Sequence, residues 1–151
     1  MNENMKLNCC ALSNETWRSV GILILRFVVG GFMLTHGWHK LTNFEMLSNV
    51  FPDPIGLGSE LSLALIVFAE FACSILVMLG LFTRLSIIPL IIGMLVAAFV
   101  VHGADPFASK ELSLLYLAIY ITIEFVGAGK FSFDYLLRNV YTKLCKSVCQ
   151  K

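Results

Sequence analysis

The chain has 151 residues, of which 58% are hydrophobic and only 14% charged, with a net charge of +1 and a mean hydropathy of +0.81. That balance excludes an ordinary soluble domain, in which about a quarter of the residues are charged. It also excludes a nucleic-acid binder, because no basic patch interleaved with aromatic residues occurs. What remains is an integral membrane protein.

A hydrocarbon core of about 30 Å takes about 20 apolar residues per helical span. Four runs of this kind predict spans at 18–41, 60–82, 85–103 and 111–128. The apolar centres of the last two are short, so their helices are expected to extend into the HGA and GAG segments that follow. The first run ends in HGWHKL and not in a small-residue cleavage site, which reads as a span and not as a cleaved leader. Between the first two spans, FPDPIGLGS holds two prolines and two glycines and predicts turns. The fold class is therefore an all-α membrane protein. A four-transmembrane-helix bundle forms a single domain over 1–151 and satisfies its backbone internally.

Lysine and arginine set the orientation. Lys6, Arg18, Arg84, Lys130, Arg138, Lys143, Lys146 and Lys151 lie on one side and only Lys40 and Lys110 on the other, which predicts cytoplasmic N- and C-termini. Glu45, Asp53 and Asp105 then fall in outward loops. Over 131–149 the residues Phe133, Leu137, Val140, Leu144 and Val148 recur at helical spacing opposite Arg138, Lys143 and Lys146. This predicts an amphipathic helix lying on the anionic inner leaflet, the alternative being a helix that docks on a cytoplasmic protein. Cys9, Cys10, Cys145 and Cys149 face the reducing cytoplasm, so disulfides are not expected. A four-thiolate zinc site is disfavoured because neither pair has the two-residue gap usual for zinc. Cys73, in mid-membrane, reads as a packing residue.

Charges inside the spans are costly and usually face a partner or a cavity. With a rise of about 1.5 Å per residue from Arg18, Arg84 and Lys130, Arg26 lies about 12 Å up its helix, Glu124 about 9 Å and Glu70 about 21 Å. Arg26 and Glu124 fit one layer and are predicted to form a buried ion pair, with Glu70 as the second choice of partner. The functional alternative is that Arg26 lines an anion pathway. A second layer lies higher. His36, His102 and Glu111 all come out at about 27–29 Å on the same rise, with Lys40 just above and Glu70 and Tyr116 just below. These six residues form a candidate polar ligand or quinone layer, able to hold a head group or relay protons; alternatively they are interfacial groups wetted by lipid headgroups. A metal is not predicted, since His36 and His39 are three residues apart and the other ligands come from separate helices. Gly30 and Gly37 share a face with Arg26 and predict close helix packing.

Taken in order, these pieces resemble the DoxX family of small four-helix membrane proteins of bacteria and archaea. The resemblance covers about 25–137 and rests on LR and then HGWHKL (Arg26, Gly37, Lys40), on AEF and MLGLFTR (Glu70, Gly80, Arg84), and on the VH ending the third span (His102). It continues through the acidic start of the fourth span (Glu111) and GAGKFSFD (Gly127, Gly129, Ser132, Asp134). The sequence departs from the family at Glu124 and in its cysteine-bearing tails. The resemblance implies an accessory role in a quinone- or thiol-linked redox system of the bacterial cytoplasmic membrane, in which the outer polar layer holds either a quinone head group, as the one candidate cofactor, or a small sulfur-containing solute, with redox proteins as partners. No nucleophile, nucleotide-binding glycine loop, haem-ligand pair or CxxC motif occurs, so a catalyst acting alone is not expected. The alternatives are a small-solute or proton transporter and a structural assembly protein. Four short helices leave little room for alternating access, an objection that a homo-oligomer would ease.

Overall fold

In the computed structural model, residues 3–54 and 56–149 are described, with side chains from 14 to 143; Cys9, Cys10, Cys145 and Cys149, the candidates weighed for zinc, have side chains outside that range. Among the described residues the chain is helical, without strands. Helix α1 spans Glu3–Thr42 and is followed by a short α2, Phe44–Leu47. The next long helix begins as α3, Ser59–Val67, passes through a π-helical stretch at Phe68–Cys73 and ends as α4, Ser74–Leu79. Helix α5, Thr83–Val96, runs into a second π-helical stretch, Ala97–Val101. Helices α6, Phe107–Val126, and α7, Phe133–Cys149, complete the chain.

Among the described residues, three segments are long and apolar enough to cross a membrane: Asn14–Thr42, Ser59–Leu79 and Thr83–Val101. Helix α6 has 20 residues but carries Lys110, Glu111 and Glu124, which sets it apart from those three. The indole rings of Trp17 and Trp38 are exposed near the two ends of the segment Asn14–Thr42. At the helical rise they stand about 31 Å apart, the thickness of a hydrocarbon core, and aromatic residues favour both interfaces. Phe27, Phe32, Phe68, Ile92, Phe99 and Phe125 are all at least half exposed, as a lipid-facing surface requires.

The core lies between four helices. Val29 and Met33 come from α1, Ala69, Cys73 and Val77 from the second long helix, Ile87, Leu90 and Met94 from α5, and Tyr116, Tyr120 and Ile123 from α6. Helix α1 packs on the second long helix, that helix on α5, α5 on α6, and α6 returns to α1. Close approach is set by glycine. A Cβ on Gly37 would stand 2.7 Å from the Phe71 nitrogen and 2.8 Å from the Glu70 carbonyl carbon, so α1 rests directly on the backbone of the first π-helical stretch.

Gly80 ends the second long helix. Its φ of 70° and ψ of 38° are left-handed, which lets the Leu81 N–H reach the Leu76 carbonyl at 3.0 Å and the Gly80 N–H reach that of Val77 at 3.1 Å. Phe82 follows at φ 47°, a strained position for a side chain with a Cβ. The carboxylate of Asp134, from the start of α7, holds it by accepting the Phe82 N–H at 2.7 Å and the Thr83 N–H at 2.9 Å. Asp134 thereby caps α5 from the far end of the sequence.

The glycine contacts make a prediction that two variants in one helix can separate. Gly21 has open space around its Cβ position, so Gly21→Ala should stabilise the protein by up to about 1 kcal/mol through helix propensity. Gly37→Ala should cost about 1–3 kcal/mol, because the backbone it would strike cannot retreat as a side chain could. Thermal unfolding in detergent measures both.

Candidate functional site

The first π-helical stretch adds a residue to a helical turn and so re-aims the side chains beyond it; such stretches recur at functional sites. Here it carries Glu70, which is only 4% exposed. Its Oε2 meets the Lys40 ammonium, from the end of α1, at 2.5 Å. The second π-helical stretch ends at His102, whose Nδ1 lies 2.8 Å from the Asp105 carboxylate. Both stretches face one cavity of about 490 Å³, which Lys40, Glu70 and His102 line together with apolar residues of the second long helix and α5, among them Ile66, Phe68, Ile92 and Val96. Pro89 lines it as well, and having no N–H it leaves a gap in the α5 ladder there.

Residues 51–54 lie over this cavity through Phe51, Pro52 and Pro54. They are held by Asp53, whose carboxylate accepts the Gly58 N–H at 2.7 Å, the Ser62 hydroxyl at 2.9 Å and the Leu57 N–H at 3.0 Å. These donors, the Gly58 N–H above all, hold the Asp53 carboxyl below its ordinary range. In the sequence, Asp53 was only one of several acids of an outward loop.

The six residues of the expected outer layer divide. Lys40, Glu70 and His102 share the cavity. The His36 ring meets Tyr116 edge-on at 6.4 Å, and Tyr116 stacks on Tyr120 at 6.2 Å, deeper in the core. Glu111 is exposed at the start of α6 and lines none of this. Tyr120 was not foreseen, and neither was Ser74. Both are 0% exposed, and their hydroxyls interact with each other in the core and with no other partner among the described residues. An apolar run with period 3.6 hides such residues among core positions, so no sequence signal marked them.

The expected pairing of Arg26 is corrected. Arg26 is 1% exposed, and its guanidinium reaches neither Glu124 nor Glu70. It donates instead to backbone carbonyls: Nε to Val77 at 2.8 Å, Nη2 to Met78 at 2.8 Å, and Nη1 to Ala128 and, at 3.3 Å, to Phe131. Val77 and Met78 lie in the last turn of α4, where carbonyls lack intrahelical donors and the helix end is partly negative. Ala128 and Phe131 belong to the loop between α6 and α7. A Cβ on Gly80 would fall 2.5 Å from Arg26 Nη2, so the same glycine that ends the helix makes room for the guanidinium. Glu124 keeps one buried oxygen, Oε2, without a partner among the described residues. Equal height along two helices does not fix the direction each side chain points, and that is why the depth argument chose the wrong acceptor.

Comparison with known proteins matches the DoxX family over residues 21–103. The chain belongs to the DoxX family. Two similar proteins, both from Haemophilus influenzae and both described as uncharacterized, are 32% identical over 80% of this chain and 92% of their own length, and 28% identical over 81% and 86%. No solved structure matches. The DoxX match contains Arg26, Lys40, Glu70 and His102, whereas Ala128, Phe131 and Asp134, which close the junction around Arg26, lie beyond it.

Two predictions arise from this geometry. Arg26→Leu should destabilise this DoxX protein by about 3–5 kcal/mol, since several buried carbonyls lose a donor at about 1–3 kcal/mol each. Adding Glu124→Leu should give no rescue, with a coupling within about 0.5 kcal/mol of zero in a double-mutant cycle of unfolding in detergent. The second concerns pH. Because the folded-state pKa of Asp53 is depressed, its hold on the loop is complete above the unfolded value of about 3.9 and is lost as pH falls through the folded value. Hydrogen-exchange protection of the Leu57 and Gly58 amides should fall over that interval in the wild type and be low throughout in Asp53→Ala.

Proposed function

We propose that this protein is a multi-pass subunit of the cytoplasmic membrane that holds a quinone head group for a redox partner, with four spans and both termini cytoplasmic. The observation that carries this reading is the cavity between the second long helix and α5. Its volume of about 490 Å³ lies within the range of ligand pockets, about 300–1,000 Å³. Leu65, Phe68 and Ile92, about half exposed, form its bilayer side, and Lys40, Glu70 and His102 form its polar end. An isoprenoid-tailed ring with two carbonyl oxygens matches that division of apolar wall and polar end.

A quinone supplies two-electron, two-proton chemistry when bound. Lys40 is placed to donate a hydrogen bond to a ring oxygen. Glu70, only 4% exposed, has one near cation and is the group best placed to accept or return a proton. His102, oriented by Asp105, offers a second exchange point nearer the outer surface. The charge bias of eight against two and the exposed apolar face of α7, with Leu136, Leu137, Val140 and Tyr141, support the inner-leaflet placement of the tail.

A second reading, a proton conduit, draws on the buried hydroxyls of Ser74 and Tyr120, which interact with each other below Glu70. One preparation tests both. Proteoliposomes carrying the wild type should bind a fluorescent quinone analogue saturably, and Glu70→Gln and Val96→Phe should each weaken binding at least about tenfold, about 1.4 kcal/mol, while remaining folded. Unchanged binding in both variants, or none in the wild type, removes the quinone reading. Acidification of the same vesicles that depends on Glu70 without quinone binding would establish the conduit instead.

A further inference from the structure

A second cavity, of about 690 Å³, opens at the opposite end of the molecule between α1, the turn before α5, the loop after α6 and the start of α7. Four cations line it from four separate parts of the chain: Arg18, Arg84, Lys130 and Arg138. We propose that this cleft binds the phosphoryl headgroup of an anionic phospholipid of the inner leaflet.

The two carboxylates in the cleft are already engaged. Glu15 lies 2.7 Å from the Lys130 ammonium, and Asp134 accepts the backbone N–H groups of Phe82 and Thr83. Arg18, Arg84 and Arg138 form no ion pair among the described residues, although Arg138 lies 5.8 Å from the centre of the Tyr135 ring. The cleft therefore keeps two positive charges that the protein does not neutralise. Thr83, at its floor, is 1% exposed, and its hydroxyl is buried with no partner among the described residues. A buried hydroxyl without a partner is uncommon and calls for a ligand or a water. A phosphoryl oxygen is an acceptor of the right kind, and guanidinium groups bind phosphate through paired N–H donors.

Either a free phosphate ion or a lipid phosphodiester would satisfy these donors. The lining decides for the lipid: Phe82 and Leu85, which border the cleft, are 60% and 67% exposed. Those side chains would cover acyl chains, whereas a soluble ion gains nothing from them. Ala128, Gly129 and Ser132 also line the cleft, so a bound headgroup would rest against the loop that receives Arg26.

Native mass spectrometry of the full chain in detergent, titrated with phosphatidylglycerol, with phosphatidylcholine and with inorganic phosphate, tests the proposal. One phosphatidylglycerol should bind at least about tenfold more tightly than phosphatidylcholine. Arg18→Gln with Arg84→Gln should abolish that preference, and Thr83→Val, which preserves shape, should reduce it without lowering the thermal midpoint of the lipid-free protein. Lys143→Gln, on the exposed basic face of α7, should leave it intact. Equal binding of the two lipids, a preference that survives in the double variant, or a loss in Lys143→Gln as large as in the double variant would overturn the site. Inorganic phosphate binding with the same dependence on Arg18 and Arg84, but without lipid preference, would assign the cleft to a free ion and overturn the lipid assignment.

Discussion

The cationic end of Arg26 and the carbonyls around it organise this protein. A helix that ends inside or near a bilayer exposes carbonyls that water cannot reach, and a guanidinium buried there needs acceptors it cannot find in lipid. Each requirement answers the other. The last turn of α4 supplies the Val77 and Met78 carbonyls, the loop after α6 supplies those of Ala128 and Phe131, and one side chain from α1 donates to all of them. No carboxylate is needed, because the carbonyl dipoles at a helix C-terminus already present negative potential. Gly80 and Asp134 complete this arrangement: the glycine leaves room for the guanidinium, and the aspartate ties α7 to the same turn.

The opposite end works by a different rule. There Lys40 pairs with Glu70 across two helices, His102 meets Asp105 three residues further along the chain, and Lys40, Glu70 and His102 border a space with apolar walls. Glu70 lies within one π-helical stretch and His102 caps the other, and such a stretch inserts a residue and rotates the remainder of its helix. Gly37 lets α1 press onto the first stretch closely enough for Lys40 to reach across. The core between the two ends is mostly apolar, but Ser74 and Tyr120 place buried hydroxyls within it. The molecule thus has a mostly apolar middle with two polar ends of contrasting chemistry.

Much of this was legible in the residues. Hydropathy and turn composition marked the long helices, because a span must be both apolar and about 20 residues long. The intramembrane charges announced themselves by cost alone, so Arg26, Glu70 and His102 could be singled out without a structure. The order of motifs pointed to the DoxX family, to which the chain belongs.

Azimuth was not legible. A height places a side chain in a layer but leaves its rotation about the helix free, and the two π-helical stretches change that rotation in a way no residue pattern records. Hence Arg26 turned from the carboxylate of Glu124 to backbone carbonyls, which have no letter in a sequence, and the outer layer separated into a cavity and a tyrosine stack. Asp134 shows the same limit over a longer distance, because its partners Phe82 and Thr83 lie 52 and 51 residues away. The sequence by itself determined that the chain is helical and apolar enough for a membrane and which charges its apolar runs must accommodate, through transfer free energies that depend on residue type. Only the packed structure decided which groups meet, since that depends on the rotation and close approach of helices far apart in the chain.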